Sequence, residues 1–232
     1  MAISVDTVYQ KVLALANKEQ RGYITPQEFN LLANQAQLEI FEQYFYDQNQ
    51  ADRNFKNSTE FSNIDEMLDE KISIFKSNAI LTFTSGLANL PNDLYRLGMV
   101  YTSGDQIELE QLTEEEVLYL NLSPISKPST LFPAYVRIKK NQIKSYPTLV
   151  GSVATCNYIK FPTSPRWTYI VVNEKALYNS SAPDKRDFEI HESDEVELVY
   201  KILSLAGIVI AKPGLSTYAE QQVTTQKTQE KQ

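Results

Sequence analysis

Residues 17–29, NKEQRGYITPQEF, set a glycine and a proline between two helical patterns, so the chain must turn and restart there. The spacing first reads as a calcium loop. In the twelve-residue EF-hand register, Asn17 is first, Glu19 third, Arg21 fifth, Gly22 sixth, Ile24 eighth and Glu28 twelfth. Arg21 breaks the motif, because the fifth position must give the ion an oxygen and a guanidinium has only donors. Asn17 in place of aspartate removes charge as well. The same residues work better as helix punctuation. Thr25 is an N-cap, Pro26 takes the first helical position, and Glu28 closes a capping box. Gly22 offers the positive-φ backbone that ends the preceding turn. A helix–turn–helix is predicted, without a working calcium site.

The pattern extends on both sides. Val5, Val8, Tyr9, Val12, Leu13 and Ala16 keep helical spacing over residues 4–17. Phe29, Leu32, Ala33, Ala36, Ile40, Tyr44 and Phe45 define a second helix over 26–48, and Phe61, Ile64, Leu68, Ile72 and Phe75 a third over 59–75. Residues 47–58 are polar and read as a loop or a fraying helix end. Near Asn78 the period falls to two. Strands are predicted at 80–84, 94–102, 106–110, 134–139, 142–146, 157–161 and 169–172, separated by turns and prolines. Thr113 and Glu116 mark a capping box for one short helix, with Leu112 and Val117 as its staple. Ser193 is the predicted cap of a last helix carrying Val196, Val199, Tyr200, Leu203, Ala206, Gly207 and Ile210 on one face.

The predicted fold class is α+β. The N- and C-terminal helices pack as a bundle, with a small antiparallel β-rich insertion between them and a polar, extended C-terminal tail. The corresponding divisions are 1–77 (helical), 78–190 (β-rich, with one short helix), 191–211 (a helix returning onto the first ones) and 212–232. The last segment is rich in Gln, Thr and Lys and gains order only on a partner.

A search for chemistry yields little. The single histidine, His191, sits among acids ahead of a helix, as a solvated pre-cap residue does. The seven glycines are scattered, so no phosphate loop is present. One cysteine, Cys156, excludes an internal disulfide and a cysteine-based metal cluster. Glu114, Glu115 and Glu116 read as first-turn acids complementing a helix dipole. No catalytic residue, cofactor or metal is expected, and the chain is not read as an enzyme. A net charge of −7 without a Lys/Arg block disfavours a nucleic-acid reader. No apolar run is long enough for a membrane span, and the start lacks the order of a signal peptide, so a cytoplasmic site of synthesis is expected. The sequence FPTSPRW at 161–167 stands apart. Arg166 and Trp167, flanked by proline, are either a grip for a partner or glycan or a rigid turn whose indole covers a sheet.

Several segments together resemble a known group. The paired helices around 17–30, then SKPSTLFPAYV (126–136), IKSYP (143–147), YIKFPTSPRW (158–167), FEI (188–190) and ELVYKILSLAGI (197–208), are similar to virion structural proteins of crAss-like and related short-tailed bacteriophages. The likeness spans most of the chain and carries no catalytic residues. It implies a ring protein of the head-to-tail connector, an adaptor below the portal at the tail vertex of the virion, assembled in the host cytoplasm. Its implied partners are identical subunits, the portal protein and other tail ring or hub proteins. Genomic DNA would pass through the channel without specific binding, and no membrane is involved. The tail would reach the portal, making Lys212, Tyr218 and Val223 candidate partner-binding residues beside Arg166 and Trp167. Three other readings stand beside it. The first is a tail hub or second tail ring. The second is a glycan-binding or glycan-cleaving tail module using Trp167. The third is an EF-hand-like regulatory protein, for which Arg21 predicts no calcium response.

Overall fold

The computed structural model describes residues 3–18, 24–53, 62–104, 106–149, 151–173, 175–209, 221 and 224–225. Two compact units emerge: Met1–Ile74 with Pro162–Gln232, and Phe75–Phe161. The expected plan of a helical bundle with a small β insertion is overturned. The chain is a mixed α/β protein whose described residues form five helices and nine strands in three sheets.

The first unit contains α1 (Val5–Lys18), α2 (Pro26–Arg53), α3 (Ser62–Ser73) and α5 (Glu195–Val209), together with the hairpin β8 (Tyr169–Val172) and β9 (Lys175–Tyr178). Helix α5 packs against α1 and α2, and α3 packs against α2. The predicted capping box opens α2. The Thr25 amide donates to Glu28 Oε2 at 2.9 Å, and the Glu28 amide donates to Thr25 Oγ1 at 3.3 Å. The Thr25 amide, and then its hydroxyl, which also donates to Oε2, hold the Glu28 carboxyl below the usual carboxylate range. Residues 19–23, the middle of the false calcium register, lie outside the described residues.

The apolar stripe of α2 is buried as predicted at Phe29, Ala33, Ala36, Ile40, Tyr44 and Phe45, with Phe41 added and Leu32 only half-buried. The stripe of α5 is rotated from its expected position. Leu198, Val199, Ile202, Leu203 and Ala206 point inward, and Val196 faces out. Its cap differs too. His191 Nδ1 accepts the Ser193 amide to cap a 3-10 turn, Glu192–Asp194, and α5 begins after it.

Residues 162–190 belong to this helical unit, not to the β-rich part. Two amides of α2 hold them there. Gln37 donates Nε2–H to the Thr163 carbonyl at 2.8 Å and accepts the Glu189 amide at 3.1 Å. Asn30 accepts the Trp167 amide at 2.8 Å and donates to its carbonyl at 3.1 Å. Asn30 and Gln37 lie two helical turns apart on one face. Further along the chain, Phe188 forms a bridge with Ile3, and Asp187 accepts the Val5 amide at 3.0 Å.

The second unit is built from strands. β1 (Lys76–Thr82), β7 (Val153–Lys160) and β3 (Leu94–Thr102) form one antiparallel sheet in the order β1-β7-β3. β2 (Leu87–Asn89), β6 (Gln142–Tyr146), β5 (Ala134–Lys139) and β4 (Glu110–Leu112) form another, in the order β2-β6-β5-β4. The β4–β5 pair is parallel, which the predicted antiparallel arrangement did not include. Alternate residues of both sheets bury one shared core: Leu81, Ala88, Leu94, Val100, Tyr135, Ile143, Ala154, Cys156 and Tyr158. Burial raises the Cys156 thiol pKa and makes it the inert core residue expected. The chain crosses from β1 to β2 through a tight turn, with Ser85 and Gly86 both at positive φ and Thr84 bonded to Leu87. At Gly86 a Cβ would also meet Thr148 Cγ2 at 2.9 Å.

Candidate interaction surface

Helix α4 (Glu114–Leu122) follows β4 and begins as its sequence requires. Thr113 donates its amide to Glu116 Oε2 at 2.7 Å, and the Glu116 amide returns a bond to Thr113 Oγ1 at 3.3 Å. The Thr113 amide, and then its hydroxyl, which also donates to Oε2, depress the pKa of Glu116. Val117 turns into the unit and is buried. The opposite face should then be polar, and it is not. Glu115, Leu118, Tyr119 and Leu122 follow the i, i+3, i+4, i+7 spacing of a single stripe, and that stripe faces out. Leu118 is 68 % exposed, Tyr119 73 % and Leu122 81 %. The segment beyond adds Ile125, Leu131 and Phe132, all exposed. A helix that is apolar on both faces is ordinarily a covered helix.

The first unit carries a second such surface. In the β8–β9 hairpin, Tyr169 pairs with Tyr178, and both rings stack on Trp167 with centroids 5.8 Å away. The alternate pairs, Ile170 with Leu177 and Val172 with Lys175, share the other face. Ile170, Val172 and Leu177 are exposed on it. A two-stranded ribbon has little stability of its own and relies on whatever covers its faces; here Trp167 covers the Tyr169–Tyr178 end of one face, and Val171 farther along that face stays exposed.

Trp167 is therefore an interior residue, 2 % exposed, with its indole N–H donating to Asp6 Oδ1 at 2.9 Å and its ring against Tyr9 at 4.3 Å. Its neighbour Arg166 is on the surface, 3.2 Å from Asp184 Oδ2. The two residues grouped in the sequence thus part company. Lys212, Tyr218 and Val223 lie outside the described residues.

The most concentrated polar cluster is buried. Asp194 accepts Lys71 Nζ at 2.7 Å and Ser193 Oγ at 3.1 Å on Oδ1, and the Tyr44 hydroxyl on Oδ2. Burial first, and then the Asp194 charge, raise the Tyr44 pKa far above its ordinary value. Both carboxylate oxygens are occupied, so the cluster ties α2, α3 and the turn before α5 together. Among the described residues, no three His, Cys, Asp or Glu side chains are placed to hold a metal, and no helix is long and apolar enough to cross a membrane.

Sequence reasoning did not single out Leu118, Tyr119 or Leu122. The available signal was that the helix they belong to has apolar residues all round, against the amphipathic norm. Compared with protein-family models and with curated proteins, the chain matches none.

Proposed function

We propose that this chain is a structural subunit of a bacteriophage virion, a ring protein of the head-to-tail connector that joins portal to tail and lines the DNA channel. The observation that carries the proposal is the outward apolar stripe of α4, a surface of the kind that protein partners cover. The exposed face of the β8–β9 hairpin is of the same kind and sits in the other unit. Two different apolar surfaces per subunit suit a heterologous interface, the type that closes identical copies into a ring. The resemblance of residues 126–136, 143–147, 158–167 and 197–208 to short-tailed phage virion proteins agrees with this reading. A net charge of −7 would keep a phosphate backbone sliding past the subunit. The glycan-module alternative loses its anchor, since Trp167 is closed inside the helical unit.

The test is the solution mass of the full chain and of a chain ending at Lys212, each alone and mixed with a portal ring. Rings that form on the portal with the full chain and fail with the shortened one support the connector role. A chain that stays monomeric with every virion component would overturn it.

A further inference from the structure

We infer that the outward stripe of α4 is covered by a second copy of this chain, and specifically by the exposed face of that copy's β8–β9 hairpin. The inference rests on the ring reading above and names its contact. The two surfaces lack complementary things. Helix α4 has Val117 covered and a bare apolar stripe, and the hairpin has Tyr169 and Tyr178 covered and a bare apolar face. A helix laid on a sheet face is a stable layer arrangement.

Charge agrees with shape. The helix stripe begins with an acid, Glu115, beside Glu114 and Glu116, and continues through Leu118, Tyr119 and Leu122. The hairpin face ends in a cation, Lys175, next to Val172, Leu177 and Ile170. Within a chain of net charge −7, an apolar face that ends in a lysine suits an apolar stripe that begins with acids. Lengths also match. The apolar part of the stripe, Leu118 to Leu122, spans about 6 Å of helix, and Ile170 to Val172 about 7 Å of strand. Each face is smaller than the roughly 800 Å² per partner of a typical stable complex, so one contact is weak and a closed ring holds by making two per subunit.

The experiment uses full-length chains. Leu122→Cys and Leu177→Cys are prepared separately, mixed under oxidising conditions and resolved by mass; Cys156 is buried and serves as the silent background. The expected result is a disulfide-linked dimer in the mixture and none in either variant alone. A second pair reads the equilibrium without a cross-link. Leu122→Asp and Leu177→Asp each abolish growth beyond the monomer, and their mixture restores a dimer that grows no further, because only one intact contact remains. Charge exchange gives the finer readout. Glu115→Lys weakens self-association about tenfold, and adding Lys175→Glu recovers most of it.

If the wild-type chain assembles while the cysteine mixture yields no dimer, this pairing is wrong and the ring reading stands. If Leu122→Cys cross-links with itself, the contact is isologous and the inference fails. If neither assembly nor cross-link occurs on the portal, both fail together.

Discussion

The two units solve one problem in different ways. An extended segment must place its backbone N–H and C=O groups somewhere when it is buried. In the β unit the strands satisfy one another, and among the described residues Ser145 is its one buried polar side chain apart from the tyrosines. Its hydroxyl donates to Gly86 O at 3.3 Å and accepts the Leu149 amide at 3.1 Å. In the helical unit the extended stretches lie against helices, whose own backbone groups are already paired. Side chains then share the pairing with backbone bridges such as Phe188 to Ile3, and Asn30, Gln37, Asp187 and Glu189 supply it. The lesson is that polar residues on a helix face can be as interior as the leucines beside them when strand-like chain packs on that helix.

The largest test of this contrast is Asp194→Ala. It removes the buried carboxylate that the Lys71 ammonium and the Tyr44 hydroxyl share, at a cost of about 3–5 kcal/mol in denaturant unfolding. Replacing Lys71 and Asp194 together with apolar residues should recover most of that loss; a double variant as unstable as the single would mean that the charges are not the cause. In the β unit the matching experiment is Ile143→Ala, expected to cost about 2–5 kcal/mol through the cavity it leaves. Hydrogen exchange then separates the two. Asp194→Ala should expose amides in α2, α3 and α5 first, and Ile143→Ala those of β2, β5 and β6.

Gln37→Ala is smaller, about 1–3 kcal/mol, because it strands the Thr163 carbonyl and the Glu189 amide. Loss of protection at the Glu189 amide is its signature, and an unchanged exchange rate there would refute the fastening role. Smallest is Thr113→Ala, about 1 kcal/mol by loss of an N-cap, read as fraying of α4. A pH profile accompanies it. The Glu116 pKa is depressed in the folded chain, so its contribution is full above the unfolded carboxylate value and fades as pH falls through the folded one. The wild-type helix should lose that increment in acid, and Thr113→Ala, which keeps the backbone donor and loses the hydroxyl donor, should show a smaller dependence over the same range.

Much of the local structure was legible beforehand. Both capping boxes, at Thr25 and Thr113, form with the residues the pattern named. The inward stripes of α1 and α2 follow the helical period. Other signals were present and passed over. Ser85-Gly86 is a hairpin dipeptide, and the apolar residues on both sides of α4 were already a warning. The candidate surface was therefore partly readable, as composition, with no indication of which side of α4 would be left bare.

Start signals, helix period and strand alternation act over a few residues, so the chain's own order settled the caps at Thr25 and Thr113 and most element types. Four other features depended on residues far apart in the chain. They are the parallel β4–β5 pair, the capture of residues 162–190 by α2, the burial of Trp167 against Tyr9 and Asp6, and the meeting of Tyr44, Lys71 and Asp194. Each joins groups whose spacing carries no local signature, because a hydrogen bond across the fold constrains position in space and not separation along the chain. The bare stripe of α4 is the same case seen from outside. Leu118, Tyr119 and Leu122 belong by type to an interior, and only the packed arrangement of Val117 and its neighbours left them facing out.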